Sequence, residues 1–139
     1  MIAVDTNILV RFYLNDDEAQ AGLATRLLTN EDVYVPKTVL LELEWVLRGV
    51  ARVSRSAIAK SLAHLLSLPN VRVEDGANVR AALKAFTQGM DFADALHLKS
   101  SSGADRFATF DARLIKHAPR TLARPVVALA SRMVRKADT

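Results

Sequence analysis

The sequence contains no cysteine, few aromatic residues and no long apolar run. Without Cys, neither a disulfide framework nor a thiolate zinc site can form. No apolar stretch approaches the roughly 20 residues that a membrane-spanning helix needs. Met1 leads directly into a predicted strand, without the basic and apolar segments of a signal peptide. These absences predict a cytoplasmic protein that has no contact with a membrane.

Apolar residues are abundant although aromatic ones are scarce. Hydrophobic residues make up 50% of the 139 positions, which argues against disorder and leaves Leu, Ala and Val to build the core. The length suits one domain with a substantial core, and no repeat or long linker divides the chain. We therefore predict a single domain over residues 1–139, in which the basic C-terminal segment 119–139 is only partly ordered.

The positive charge is concentrated in the C-terminal part of the chain. The net charge is +4, and from Lys99 onward nine Lys or Arg residues stand against three acids. A basic surface favours a phosphate-rich partner and speeds its encounter. A surface that simply keeps the protein in solution explains the same charge, so both interpretations stay open.

Short apolar stretches alternate with longer helical patterns along the chain. Strands are predicted at residues 2–4, 33–35, 71–73, 106–110 and 125–129. Helices are predicted at 7–14, 16–28, 38–52, 55–68, 75–88, 91–101 and 111–117. This order is typical of an α/β fold, here a parallel sheet of four to five short strands between layers of helices.

Two acids directly follow predicted strands. Asp5 comes after the first strand and Asp111 after the fourth. The carboxyl ends of parallel strands form the edge at which ligands bind in such folds. Thr109 shares a face of the strand with Asp111 and is expected to place a hydroxyl beside it. Each acid could instead cap the helix that follows it, which leaves two explanations for each.

Two glutamates lie in the apolar helix that is predicted at 38–52. Glu42 and Glu44 are two residues apart and so point to nearly opposite faces. Glu44 precedes Arg48 by one turn, the spacing of a surface ion pair. Glu42 has apolar neighbours such as Trp45 and Val46 and no cation. An unpartnered carboxylate on an apolar face is costly, so we expect Glu42 to be the functional residue.

Two further acids begin the helix that is predicted at 91–101. Asp91 and Asp94 have the spacing of a capping arrangement, and this is a serious alternative for Asp91. Asp94 is harder to explain in this way because small and apolar residues surround it. His97 shares its face, but a lone histidine is more often packed or hydrogen-bonded than a ligand.

Convergence of these acids would require a cation. Carboxylates that share a site raise one another's pKa unless a positive charge neutralises them. A ligand set made only of oxygen atoms suits Mg²⁺ or Mn²⁺. One or two such ions activate a water and stabilise in-line attack on a phosphodiester.

Four short motifs occur in the order found in PIN-domain ribonucleases. Val-Asp-Thr-Asn, Leu-Leu-Glu-Leu, Asp-Phe-Ala-Asp-Ala-Leu and Thr-Phe-Asp resemble that family between Met1 and about His117. Within the family, the chain resembles the VapC-type toxins of toxin–antitoxin pairs. The resemblance implies a parallel sheet between helices, RNA cleavage that depends on Mg²⁺ or Mn²⁺, a homodimer, and inhibition by a small antitoxin protein.

The resemblance also implies which residues form the site. It places the catalytic and metal-binding roles on Asp5, Glu42, Asp94 and Asp111. Secondary roles fall on Asp91, which matches an extra acid in part of the family, and on the site hydroxyls of Thr6 and Thr109. The hypothesis is therefore a metal-dependent endoribonuclease that acts as a toxin, with Asp5 and Asp94 as its firmest ligands.

Two other functions are compatible with parts of this pattern. A PIN-like module could hold RNA or a protein partner without cleaving it, although all four acids are present. A phosphatase of the haloacid-dehalogenase type also begins with a strand-end Asp, but it needs a second Asp two residues later, where this chain has Asn7.

The sequence leaves the roles of two groups of residues undecided. Five cations are candidates for phosphate contacts: Arg11, Arg48, Arg52, Arg113 and Lys116. The apolar excess of residues 39–50 fits an antitoxin groove, a homodimer interface or the core equally well.

Overall fold

The computed structural model describes residues 1–118 and 125–134. Its strands are β1 (Ile2–Ala3), β2 (Val33–Val35), β3 (Val71–Val73), β4 (Arg106–Thr109) and β5 (Val126–Leu129). Its helices are α1 (Thr6–Leu14), α2 (Glu18–Asn30), α3 (Lys37–Trp45), α4 (Arg55–Ser67), α5 (Gly76–Thr87), α6 (Phe92–Ser100), α7 (Ala112–His117) and α8 (Ala130–Met133). The predicted α/β fold of parallel strands flanked by helices is confirmed.

The strands form two parallel sheets rather than one. β2 lies between β1 and β3 in the first sheet, and β4 pairs with β5 in the second. β1 pairs over two residues only, Ile2 with Val33 and Ala3 with Tyr34, whereas β4 pairs with β5 over four. The two predicted strand-end acids consequently follow strands of different sheets.

Local capping explains where several helices begin. The Asp17 carboxylate accepts a hydrogen bond from the Gln20 N–H at 3.1 Å, and α2 therefore starts at Glu18, two residues later than expected. The Ser54 hydroxyl caps α4 in the same way, by accepting from the Ala57 N–H at 3.2 Å. Pro36 ends β2 and directly precedes α3.

The helix that was predicted at 38–52 changes its geometry at Trp45. α3 ends there and continues as a π-helical turn over Val46–Val50, in which the Ala51 N–H bonds to the Val46 carbonyl at 3.0 Å. Leu47 of this turn is buried. A single π-helical turn often occurs at a functional site.

The core lies between the first sheet and helices α1 to α7. Its largest fully buried side chains are Phe86, Phe92, Leu9, Leu40, Leu43, Leu47, Ile58, Leu65, Val33, Val35 and Val79. Phe86 of α5 and Phe92 of α6 meet edge to face, with ring centroids 5.7 Å apart. This contact holds the start of α6, where two of the candidate acids lie.

The C-terminal segment is only partly described. β5 confirms the ordered stretch that was expected near 125–129, whereas α8 was not expected, because its four residues carry little helical pattern. The rest of the predicted segment, 119–124 and 135–139, lies outside the described residues, and the single domain over 1–139 stays a prediction. None of the helices described is long and apolar enough to span a membrane.

Candidate metal-binding site

The two strand-end acids both cap helices. The Asp5 carboxylate accepts a hydrogen bond from the Thr6 N–H at 2.7 Å and starts α1. The Asp111 carboxylate accepts from the Arg113 N–H at 2.8 Å, while the Asp111 N–H donates to the Thr109 hydroxyl at 3.0 Å. The Thr109 hydroxyl therefore lies beside Asp111, as predicted. Each cap uses one carboxylate oxygen, so capping does not prevent the other oxygen from binding a ligand.

The acids of α6 have different roles. Asp91 caps the helix by accepting a hydrogen bond from the Asp94 N–H at 3.1 Å. Asp94 is partly buried and has no capping role. Partial burial raises the pKa of the Asp94 carboxyl, the charges of Asp91 and Asp111 raise it further, and His97 opposes them. Asp91 and Asp111 are therefore each close enough to Asp94 to repel its charge.

His97 contributes to the electrostatics of this cluster. Its side chain is exposed one turn after Asp94, and the interaction between them lowers the pKa of Asp94. The i, i+3 spacing on α6 was the sequence signal for this contact. His97 therefore acts electrostatically on Asp94, a role that the sequence did not predict.

The predictions for the environments of the two glutamates of α3 are wrong. Glu44 is only 3% exposed, and the Arg48 Nε donates to both of its carboxylate oxygens, at 3.0 and 3.2 Å. The pairing itself was expected, but it is largely buried on the glutamate side. Glu42, which was expected on an apolar face, is exposed. The signal for this orientation was the spacing of Leu40 and Leu43, because a residue four positions after Leu40 shares its inward face.

Glu42 nevertheless opens onto the side of the molecule where α6 begins. It lines a cleft of about 400 Å³ together with Thr38, Leu41, Glu44, Trp45, Arg48 and Ala93. Ala93 directly precedes Asp94 in α6. The cleft therefore connects the exposed carboxylate of α3 with the acidic start of α6.

The chemistry of these side chains suits a hard divalent cation, but the residues are not arranged as a finished centre. Carboxylate oxygens are the ligands that Mg²⁺ and Mn²⁺ prefer. In the described part of the chain, no three or more His, Cys, Asp or Glu side chains are grouped so that they could hold a metal. Among the described residues, Asp91 and Asp111 lie near Asp94, and no contact joins Asp5 or Glu42 to them.

Parallel strands covered by helices, with carboxylates at strand ends and at a helix start, define an α/β protein with an acidic site. Comparison with known families then identifies the protein family. The PIN domain family matches residues 2–119, and the chain belongs to that family. PIN domains are generally nucleases that use divalent metal ions, and their substrates are nucleic acids. No curated protein and no solved structure matches the chain.

Proposed function

We propose that the protein is a metal-dependent endoribonuclease and the toxin of a type II toxin–antitoxin pair. The observation that supports this most is the crowding of Asp94 by Asp91 and Asp111 in a chain of a nuclease family. Among the described residues, neither Asp94 nor Asp111 forms a salt bridge. Carboxylates that repel one another and form no salt bridge are stabilised when a divalent cation binds.

The proposed ligands of Mg²⁺ or Mn²⁺ are Asp5, Glu42, Asp94 and Asp111. When bound, such an ion activates a water and neutralises charge on the RNA phosphate. Asp94 extends from the first turn of α6, whose start is fixed by the Asp91 cap. Asp111 is held through its own N–H by Thr109.

Asp5 and Glu42 would complete the site. Their carboxylates are exposed, so turning them toward a cation requires little loss of packing. Thr6, which follows Asp5, is buried, while Asp91 and Thr109 fix the backbone at Asp94 and Asp111 through the hydrogen bonds described above. Asp91 and the hydroxyls of Thr6 and Thr109 are therefore assigned supporting roles.

The Asp94→Asn variant tests this site. We expect it to lose RNA cleavage, because one anionic ligand is removed. In a chelating buffer its melting temperature should equal or exceed that of the parent protein, since a repelling charge is gone. Mg²⁺ or Mn²⁺ should raise the melting temperature of the parent protein but not that of the variant.

Asp32→Asn is the matched control, because Asp32 is exposed and lies before β2, at the opposite end of the strand from the proposed site. It should cleave RNA as the parent protein does. Full activity of Asp94→Asn with Mg²⁺, or failure of that variant to fold, would contradict the assignment.

The regulatory part of the proposal is a small antitoxin that lies over the acids of a homodimeric toxin. It is supported by the resemblance to VapC-type toxins and by the chemistry of the acids. A basic side chain of a partner would neutralise these carboxylates and displace the cation. Inhibition and metal binding should therefore compete.

Co-expression with the product of the neighbouring upstream gene tests this regulation. The purified complex should release its partner, or regain cleavage, as Mg²⁺ or Mn²⁺ is titrated. If no complex forms and the chain expressed alone is harmless to its host, the toxin assignment fails even where the nuclease assignment survives.

A non-catalytic PIN-like module that binds RNA is the second candidate. It is favoured by the capping roles of Asp5, Asp91 and Asp111, which give these acids a use without a metal. The distinguishing observation is RNA affinity that responds to Mg²⁺ while no cleavage product appears.

A further inference from the structure

Trp45 is the only tryptophan of the chain and lies in the wall of the cleft beside α6. Its side chain is 56% exposed, although it stands in an apolar helix whose neighbouring leucines are buried. Leu41 and Ala93 complete the apolar lining of the cleft. An exposed aromatic ring in a groove is the surface on which proteins stack unpaired nucleobases.

Arg48 lies in the same cleft and is held in one orientation. Its Nε donates to both oxygens of the buried Glu44, so the guanidinium is anchored at one edge. Within the described residues, its two terminal nitrogens make no hydrogen bond, and its side chain is 54% exposed. A guanidinium anchored in this way presents a fork of donors that matches a phosphate group.

Arg48 is charged at every physiological pH, and its contacts favour the charged form further. The hydrogen bond to Glu44 and the charges of Glu44 and Asp91 raise the pKa of its guanidinium. The interaction with Asp91 places Arg48 near the N-terminal end of α6. A phosphate bound there would lie beside the proposed metal ligands.

We propose that this cleft is a nucleotide subsite, in which an unpaired base of single-stranded RNA stacks on Trp45 and its phosphate binds Arg48. The subsite rests on the proposed function, because it would hold a nucleotide next to the cleaved bond. A volume of about 400 Å³ is enough for one nucleobase. A base inside a duplex is already stacked and paired, so the subsite selects single strands.

The shape of the apolar surface favours a single planar group over a partner helix. Leu40, Leu43 and Leu47 point into the core. Of the two large apolar residues that stay exposed in this helix, Trp45 and Val50, only Trp45 lines the cleft. An amphipathic helix needs a continuous apolar groove with several anchor positions. Thr38, Glu42 and Arg48 add polar groups to this mainly apolar lining.

Intrinsic fluorescence reports this subsite directly, because every tryptophan photon comes from Trp45. The full chain is titrated in a chelating buffer, where RNA is not cleaved, with tetranucleotides of uridine or of adenosine. Saturable quenching by these single strands is expected. An RNA duplex at the same nucleotide concentration should quench far less.

Substitutions at the ring measure the stacking contribution. Trp45→Ala should weaken the binding of a labelled oligonucleotide by about 5- to 150-fold, the range found for loss of one base–aromatic stack. Trp45→Phe should retain most of the affinity. Leu23→Ala, at another exposed apolar residue of α2, is the control and should not change it.

The phosphate contact is tested without leaving a charge unpaired. Glu44→Gln and Arg48→Gln are combined, so that two amides replace the buried ion pair. The dependence of the logarithm of affinity on the logarithm of salt concentration should become shallower by about 0.7, the loss of one phosphate contact.

The outcomes separate the subsite from the nuclease activity. No quenching, or equal affinity of Trp45→Ala and the parent protein, overturns the subsite, whether or not RNA is cleaved with Mg²⁺. Quenching without any cleavage supports the subsite and overturns the proposed nuclease. A fluorescence shift on dilution without RNA shows that a second copy covers Trp45, which also overturns the subsite. Quenching by the co-expressed partner but by no RNA assigns the cleft to a protein and overturns it too.

Discussion

The two glutamates of α3 differ in what their carboxylates contact. Glu44 is buried and receives two hydrogen bonds from Arg48, whereas Glu42 is exposed and lines the cleft. Glu44→Gln should lower the free energy of unfolding by about 1–3 kcal/mol, because a charge-assisted contact of a buried group is lost. An exposed ion pair, which the spacing of Glu44 and Arg48 had indicated, would contribute only about 0.2–0.5 kcal/mol.

Glu42→Gln should show the opposite behaviour. Its stability should stay within about 0.5 kcal/mol of the parent protein, as for most surface substitutions, while cleavage falls strongly because a proposed ligand is gone. Denaturant unfolding and an RNA cleavage assay on the two variants are sufficient. Loss of activity in Glu44→Gln alone would mean that the buried glutamate is the ligand.

The connection between α5 and α6 depends on one glycine. Gly89 has a φ of +111°, a conformation that residues with a side chain rarely adopt, and it lies two residues before the Asp91 cap. Gly89→Ala should therefore cost about 1–3 kcal/mol of stability. Because α6 carries Asp94, the same change should also lower RNA cleavage.

Gly22→Ala provides the matched control within a helix. Gly22 lies inside α2, and an added Cβ would meet no atom within 4 Å. This variant should gain about 0.5–1 kcal/mol, because alanine favours the helix. Thermal or urea unfolding of both variants compares the two effects, and a shift of the same sign would contradict the argument from φ.

The starts of α3 and α5 are joined by a polar contact. Asp75 accepts hydrogen bonds from the Asn78 side chain at 3.0 Å and from the Lys37 Nζ at 3.2 Å. The bond from Asn78 and then that from Lys37 lower the pKa of the Asp75 carboxyl. The folded state therefore gains stability above the unfolded value of about 3.9, and this gain disappears as the pH falls through the lower folded value.

Asp75→Asn should consequently reduce the loss of stability that occurs as the pH falls below about 5. Between pH 5 and pH 3, roughly the range that includes the unfolded pKa of aspartate, the parent protein should lose more melting temperature than the variant. The difference should shrink at high salt, because the contact is solvent-exposed. Parallel profiles for the two proteins would show that the contact adds nothing to stability.

The surface charge of the whole molecule should determine how RNA binding responds to salt. Among the five candidate cations, Arg11 and Arg48 are paired with acids, at 2.7 and 3.0 Å, whereas Arg52, Arg113 and Lys116 are exposed and form no salt bridge with a described residue. The unpaired cations are free to bind phosphates, and Arg48 uses only its Nε for Glu44, which leaves its terminal nitrogens for the phosphate of the proposed subsite. The logarithm of affinity should fall with a slope of about −0.7 per neutralised phosphate as the logarithm of salt concentration rises.

This salt dependence can be measured with Ca²⁺ in place of Mg²⁺, which slows cleavage during the titration. Arg113→Gln should reduce the slope by one such contact, whereas Arg11→Gln should change it less, because Arg11 already binds Asp16. An affinity that does not respond to salt would contradict the interpretation of the basic surface.

The sequence by itself determined the features that depend on neighbours along the chain. Each predicted strand and helix is present, with shifts at the ends, because apolar runs, caps and breakers act over a few residues. The capping alternatives that were considered for Asp5, Asp91 and Asp111 were also correct for the same reason. The motifs were sufficient to indicate the PIN domain family.

Only the tertiary structure decided which residues meet. The orientation of α3 depends on packing of Leu40, Leu43 and Leu47, and that packing turned Glu44 inward and left Glu42 and Trp45 at the cleft. The grouping of β4 with β5 in a second sheet depends on contacts between separate parts of the chain, which no local pattern encodes. The electrostatic contact of Asp94 with Asp111 likewise required α6 and the end of β4 to come together in space.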